Sequence, residues 1–172
     1  MFDTEILTLD DLDLRMHSTA HEGRRILIRK NDIKYFRFPS AWALRDAICD
    51  YRFVLLIRKN VEATFSSYDE QGRCMPYSEY VDQVVGMAQM QVNPYDANEV
   101  WLSYVEVSRP FQRQRLSRVL VTELVKLMRS PWGEGKRLVR SSPSEMGRAY
   151  LKDHLTCALD SANISWKFSN DS

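Results

Sequence analysis

Residues 105–120 read Val-Glu-Val-Ser-Arg-Pro-Phe-Gln-Arg-Gln-Arg-Leu-Ser-Arg-Val-Leu, and they contain the clearest structural pattern of the chain. Its first residues are β-formers, whereas the apolar residues from Leu116 onward recur at helical spacing. Pro131 and Gly133, which follow, are typical of a helix end. The stretch therefore predicts a strand that turns directly into an amphipathic helix over Leu116–Met128.

The turn between this strand and this helix is suited to an anion. The first amides of a helix have no intrahelical acceptor, and the helix dipole is positive there. Arg109, Arg113, Arg115 and Arg118 surround the turn with no acidic residue between them. We therefore predict that the turn binds a diphosphate; the alternative is a basic helix N-terminus without a ligand.

The rest of the chain alternates between predicted strands and helices, which indicates an α/β (α+β) sheet protein. Val84–Val92 and Val100–Val107 are predicted to form an antiparallel hairpin across the turn residues Asn93 to Asp96. The polar stretch Lys59–Tyr80 is long for a loop, so it contains a further short element or lines a substrate cleft. The other predicted strands are Thr4–Thr8, Arg52–Arg58, Lys136–Arg140 and Ile164–Phe168, and helices are predicted just after Thr8, over Ala41–Cys49 and over Ser144–Leu155.

The composition is that of an ordinary globular protein, and we expect one domain over residues 1–172. Its 24 Lys and Arg against 23 Asp and Glu give a formal charge of +1, so we do not expect a nucleic acid partner. Its three cysteines fit neither a disulfide framework nor a metal motif. There is no secretion signal in the first twenty residues and no apolar run of the roughly 18 residues that span a bilayer, so we expect a cytoplasmic protein without membrane contact.

The turn resembles a motif of the GNAT family of N-acetyltransferases, in which a strand leads to [Q/R]-x-x-G-x-[G/A] at the start of a helix. The corresponding residues run from Gln112 to Ser117, with Arg115 at the first glycine position and Ser117 at the second small position. The resemblance implies a mixed, mostly antiparallel central sheet flanked by helices, and binding of acetyl-coenzyme A. The residues that it assigns to the coenzyme are Val105, Val107, Gln112, Arg113, Gln114, Arg115, Leu116, Ser117 and Arg118.

A second segment, Pro143–Leu155, is similar to the helix N-x-x-A-x-x-x-Y-x-K-x-G-F of the same family. Tyr150 and Lys152 fall at its tyrosine and lysine positions, whereas Pro143, Met146, His154 and Leu155 replace its Asn, Ala, Gly and Phe. The resemblance implies that Tyr150 protonates the departing thiolate.

The implied reaction is transfer of an acetyl group to a primary amine, which needs a base because such amines are mostly protonated at neutral pH. Glu99 and Glu106 are the available carboxylates; regular alternation would place them on opposite faces of a strand, and Glu106 is nearer the expected thioester. The resemblance also implies that a backbone amide, from Val105 or Val107, stabilises the oxyanion.

The resemblance implies that the acceptor is an amine on a small molecule or a protein, and self-association as a homodimer remains open. A different class of function also remains open, a non-catalytic relative that binds a protein or nucleic acid, because Arg115 replaces a glycine. His17 and His21 have the spacing of two ligands on one helix face, but no further ligand accompanies them, so we expect no metal.

Overall fold

The structure, a computed structural model, describes residues 2–8, 18–21, 24–27, 50–140 and 152–169. The strands of this part of the chain are β1 (Phe2–Thr8), β2 (Ser18–His21), β3 (Arg24–Leu27), β4 (Tyr51–Tyr68), β5 (Cys74–Asn93), β6 (Asp96–Val107), β7 (Arg137–Arg140) and β8 (Trp166–Phe168). Its helices are α1 (Leu116–Met128), α2 (Lys152–Ser161) and a 3-10 turn over Arg109–Phe111.

The described strands form one mixed sheet in the order β1-β4-β5-β6-β7-β8, with β3 pairing to both β2 and β5. The antiparallel pairs are β1 with β4, β4 with β5, β5 with β6, and β2 with β3. It is parallel from β6 through β8 and between β3 and β5. The predicted mixed and mostly antiparallel sheet flanked by helices is therefore confirmed, as is the hairpin of β5 and β6.

The polar stretch Lys59–Tyr80 contains the far ends of two long strands and the turn that joins them. Val61, Ala63 and Phe65 alternate with polar residues, as a strand requires. Asp69 closes the turn, because its Oδ1 accepts hydrogen bonds from the amides of Gln71 and Arg73, both at 2.9 Å. Of the two predicted alternatives, a hidden element is therefore correct, although the strands are long rather than short.

Two hydrophobic clusters lie on opposite sides of the sheet. We call the side covered by α1 and α2 the helical face; its cluster includes Leu56, Ala88 and Met90 of the sheet with Leu120 and Leu124 of α1. Full burial of an aliphatic side chain contributes about 1.5–3 kcal/mol, so α1 is held chiefly by its apolar stripe.

We call the other side the second face. Its cluster consists of Leu7, Ile26, Tyr51, Phe53, Leu55, Ile57, Val84 and Met87, with Tyr104 packed against it. Because β4 and β5 contribute residues to both clusters, they are buried on both sides over the centre of the sheet.

The remaining predicted elements are confirmed in part. The bounds of α1 are those predicted, and the strands predicted over Thr4–Thr8, Lys136–Arg140 and Ile164–Phe168 are present with ends shifted by one or two residues. The helix predicted to end at Leu155 continues to Ser161, because Leu159 is buried one turn beyond Leu155. The helices predicted after Thr8 and over Ala41–Cys49 lie outside the described residues.

Candidate functional site

The strands β6 and β7 pair over only part of the length of β6. Parallel pairing runs from Glu99 with Arg137 to Leu102 with Arg140, whereas β6 continues to Val107. Among the described residues, no strand pairs with Ser103 to Val107 on the side of β7. This side of β6 is the open side of the site.

A β-bulge at Ser103 marks the point where the open side begins. Tyr104 pairs with Gln89 of β5 and Leu102 with Met90, so Ser103 is an extra residue in β6. The bulge changes the phase of the strand. Leu102 and Val105 therefore both contact the cluster on the helical face, whereas Tyr104 contacts the cluster on the second face.

The prediction that Glu99 and Glu106 lie on opposite faces of the strand is wrong. They are seven residues apart, which gives opposite faces in a regular strand, but the extra residue at Ser103 restores the same face to both. They are nevertheless in different surroundings, because Glu99 lies where β7 still pairs and Glu106 lies beyond that point.

The backbone groups of Val105 and Val107 point toward the open side. The amide of Ser108 donates to the carbonyl of Val85 at 2.8 Å, so the backbone of Ser108 faces β5. Hydrogen bonding in a strand alternates from side to side, so the backbone groups of Val107 and Val105 face away from β5. The carbonyl of Val107 accepts a hydrogen bond from Nε2 of Gln112 at 3.0 Å. The two amides predicted as oxyanion donors therefore lie along one edge, and Gln112 ties the following turn to it.

The turn after β6 is anchored by one aromatic residue. Phe111 packs against the cluster on the helical face, and its ring meets that of Phe2 edge-on, with 6.0 Å between centroids. Ser108, which precedes the 3-10 turn, is fully buried. Burial of Ser108 and packing of the partly buried Phe111 fix the path of the chain, while the residues from Gln112 to Arg115 stay exposed.

Two arginines of this turn have left-handed backbone conformations. The φ angle is 67° at Arg113 and 59° at Arg115, which is the N-cap of α1. The left-handed region costs a residue with a Cβ about 1–2 kcal/mol, whereas glycine enters it freely. Arg115 therefore keeps a conformation suited to glycine at the position where the resemblance expects one.

The turn leaves several amides without backbone acceptors. In the described part of the chain, no backbone hydrogen bond joins an acceptor to the amides of residues 113–117, and the amide of Arg118 bonds to the carbonyl of Arg115 at 3.0 Å. A left-handed residue followed by a helical one turns successive amides toward a common point, an arrangement that binds anions. The first turn of α1 contains no acidic residue.

The side chains of the turn add positive charge around these amides. Arg109, Arg113, Arg115 and Arg118 are all exposed, so they are available to a ligand that approaches from solvent. Hydrogen bonds from guanidinium groups to phosphate are roughly twice as strong as neutral ones. The structure thus brings together the predicted coenzyme residues from Val105 to Arg118 as one continuous edge and turn.

Glu99 is a structural carboxylate. Its side chain is only 9% exposed, and Oε1 accepts hydrogen bonds from Arg137 at 2.5 Å and from Lys167 at 2.8 Å. Oε2 accepts a third, from Asn93 at 3.1 Å. The hydrogen bonds from Lys167 and Arg137 lower the pKa of Glu99 to about 2, so it is a poor proton acceptor at neutral pH.

Glu106 lies beside a buried phenol on the second face. Its partner across the strand pair is Met87, and the Met87 sulfur accepts a hydrogen bond from the Tyr104 hydroxyl at 3.0 Å. Burial, and next the negative charge of Glu106, raise the pKa of Tyr104 well above its ordinary value. Tyr104 therefore stays protonated and acts as a hydrogen-bond donor.

Other predicted residues are placed less completely. Tyr150 and His17 lie outside the described residues. The role of Tyr150 therefore stays a prediction. His21 ends strand β2, so the helical spacing considered for the two histidines does not apply to it. In the described ranges, no cluster of three or more His, Cys, Asp or Glu side chains could hold a metal ion, and no helix there is long and apolar enough to cross a membrane.

A sequence model described as the acetyltransferase (GNAT) family matches residues 41–146, more than half of the chain. The chain belongs to the acetyltransferase (GNAT) family. The match covers β4 to β7 and the turn, and it ends before Tyr150. No curated protein matches the sequence.

Members of the GNAT family are acetyltransferases in general, and acetyl-coenzyme A is the acetyl donor that they typically use. The free amides and exposed arginines of the turn have the chemistry that a diphosphate requires.

Sequence reasoning missed the bulge and the residues around it. A partial signal was present, because the aliphatic residues Val100 and Leu102 have even numbers whereas Val105 and Val107 have odd numbers. Gln89 and Tyr104 were missed because a buried polar residue of a strand cannot be recognised without its cross-strand partners.

Proposed function

We propose that this protein is an N-acetyltransferase that transfers the acetyl group of acetyl-coenzyme A to a primary amine. The observation that carries the proposal is the continuity of the open side of β6 with a turn of free amides. A ligand with a diphosphate at one end and a thioester at the other could contact both along a single stretch of chain.

The turn is the part that would bind the diphosphate. The amides of residues 113–117 supply uncharged donors, and the exposed arginines supply charge-assisted ones. The left-handed conformation of Arg115 supports the proposal, because strained backbone persists where its surroundings enforce it and is frequent at ligand sites.

The open side of β6 would hold the thioester arm. The amides of Val105 and Val107 face this side, so an extended ligand with its own amides could pair with β6 in the place that β7 leaves. One of these two amides would also donate to the thioester oxygen as it gains negative charge.

The reaction needs proton transfers at two atoms. The amine nitrogen forms a bond to the acetyl carbonyl carbon and loses a proton, for which Glu106 is the proposed acceptor, directly or through a water. The bond between that carbon and sulfur breaks, and the departing thiolate takes a proton from Tyr150. Acetylated amine and free coenzyme A are the products.

Calorimetry with acetyl-coenzyme A and with desulfo-coenzyme A tests the coenzyme site. We expect both to bind, because they share the diphosphate. Arg118→Gln removes a charge at the N-terminus of α1 and should weaken binding about three- to tenfold. Arg129→Gln removes an exposed charge at the other end of the same helix and should leave binding unchanged.

The alternative function predicts the opposite result. A non-catalytic relative that binds a protein or nucleic acid would show no heat of binding at high micromolar coenzyme A. If binding is present, a screen of amines for thiol release identifies the class of acceptor.

A further inference from the structure

Gln89 is a buried polar residue with an unused hydrogen-bonding group. It lies near the C-terminal end of β5, and only 7% of the residue is exposed. Within the part of the chain that the structure describes, its Oε1 has no hydrogen-bond partner. Buried acceptors are nearly always satisfied, so an unsatisfied one calls for an explanation, and one such explanation is a ligand that donates to it.

Its surroundings connect Gln89 to the proposed reaction. Gln89 pairs directly with Tyr104, and the next pair on the same face is Met87 with Glu106. Directly opposed residues lie about 5 Å apart and diagonal neighbours, such as Gln89 and Glu106, about 7–8 Å apart, so Gln89, Tyr104 and Glu106 form one cluster on the second face. Tyr104 and Glu106 belong to the part of β6 that β7 leaves open.

The helical face differs in chemistry. Val105 and Val107, which lie on that side, are partly buried and pack against the cluster that contains the fully buried Leu120 and Leu124. An acceptor that approaches a thioester on the open side of β6 therefore meets apolar packing on the helical face and polar groups on the second face.

The chemistry of the cluster matches a primary amine. An amine donates hydrogen bonds through its N–H groups, and Oε1 of Gln89 is an acceptor. Glu106 attracts the ammonium form and is the proposed proton acceptor.

We propose that Gln89 binds the acceptor, with Oε1 accepting a hydrogen bond from the N–H of a primary alkylamine beside Glu106. This inference rests on the proposed function and adds the place and recognition of the acceptor. It separates the two substrates, since the coenzyme lies along β6 and its turn while the amine enters from the second face.

Gln89→Met tests the assignment with butylamine as the probe. Methionine has nearly the same length and no acceptor oxygen, so the KM for butylamine should rise about tenfold while the KM for acetyl-coenzyme A stays the same. The variant should also unfold at a higher temperature, because it removes an unsatisfied buried group. Gln89→Glu restores an acceptor oxygen and should return the KM for butylamine to within about threefold of the original value.

Gln91→Met is the matched control. Gln91 is the next residue of β5 on the same face, and it pairs with Trp101, where β7 still covers β6. The same substitution there should leave the KM for butylamine unchanged.

Three other outcomes overturn the inference, and they differ in what they leave standing. An unchanged KM for butylamine in Gln89→Met removes Gln89 from acceptor binding. Binding of coenzyme A without acetylation of butylamine at any concentration removes the amine subsite but leaves the coenzyme site. Absence of coenzyme A binding removes the proposed function itself.

Discussion

Replacing Arg115 by glycine should stabilise the protein, although glycine usually destabilises. Arg115 has φ 59° and ψ 16°, in the left-handed region. A residue without a Cβ avoids the steric strain of this conformation, which is about 1–2 kcal/mol. Glycine loses about 0.5–1 kcal/mol through the greater freedom of the unfolded chain. The expected net gain in the free energy of unfolding is therefore between about 0 and 1.5 kcal/mol, with a midpoint of about 0.8 kcal/mol.

The control is the same substitution at the opposite end of the helix. Arg129 caps α1 at its C-terminus with φ −90° and ψ −4°, a right-handed conformation that arginine adopts without strain. Arg129→Gly should therefore lose about 0.5–1 kcal/mol. Urea denaturation measures both, and equal destabilisation by the two substitutions would refute the strained conformation of Arg115.

The same variant separates two ways of holding the diphosphate. If backbone amides do most of the work, Arg115→Gly should bind coenzyme A as tightly as the parent or more so, since the Cβ no longer limits approach. If the arginine side chain replaces that approach with charge, affinity should fall about tenfold. Calorimetry on both proteins decides, and a tenfold loss would contradict the role given to the amides.

The remaining predictions concern other parts of the molecule. The pKa of Glu99 is lowered from 4.5 to about 2 in the folded protein, so its contribution to stability is present above pH 4.5 and is lost as the pH falls toward 2. Glu99→Gln should lower the free energy of unfolding at pH 7 by on the order of 2 kcal/mol. It should also make stability depend less on pH in acid denaturation. Gly133→Ala should lower the free energy of unfolding, measured with heat or urea, by about 3 kcal/mol, because a Cβ there would lie 2.5 Å from Cα of Met128. Gly72→Ala is the comparison: its Cβ would meet no atom within 4 Å, so it should cost only about 1 kcal/mol, for its positive φ. Tyr150→Phe should lower turnover while coenzyme affinity by calorimetry stays the same, and unaltered turnover would remove Tyr150 from the mechanism.

The parts of the fold that local pattern determines were predictable from the sequence. The apolar spacing of α1 gave both ends of the helix, and the turn residues after Asn93 gave the hairpin of β5 and β6. In contrast, the strands within Lys59–Tyr80 are hard to predict, because the ends of β4 and β5 expose many side chains and only the alternation of Val61, Ala63 and Phe65 indicates a strand.

The candidate site was predictable where one stretch of chain forms it. Residues from Val105 to Arg118 are consecutive, so the composition of the turn and the start of the helix sufficed. The roles of Glu99 and Gln89 depend on partners that lie elsewhere in the sequence, such as Lys167 for the first and Tyr104 for the second. No local pattern encodes these contacts, so a choice between the two carboxylates required the sheet register.

A single extra residue connects these features. If β6 had no bulge and Ser103 occupied a regular strand position, alternation from Leu102 would place Val105 and Val107 on the second face and Tyr104 and Glu106 against α1. The bulge exchanges these positions, so that the valines pack under the helix while the phenol and the carboxylate lie opposite Gln89 and Met87. It also lies where pairing with β7 stops, and β-bulges commonly bend a strand and end its pairing. The open side of β6 and the polar cluster on the second face therefore share one local cause.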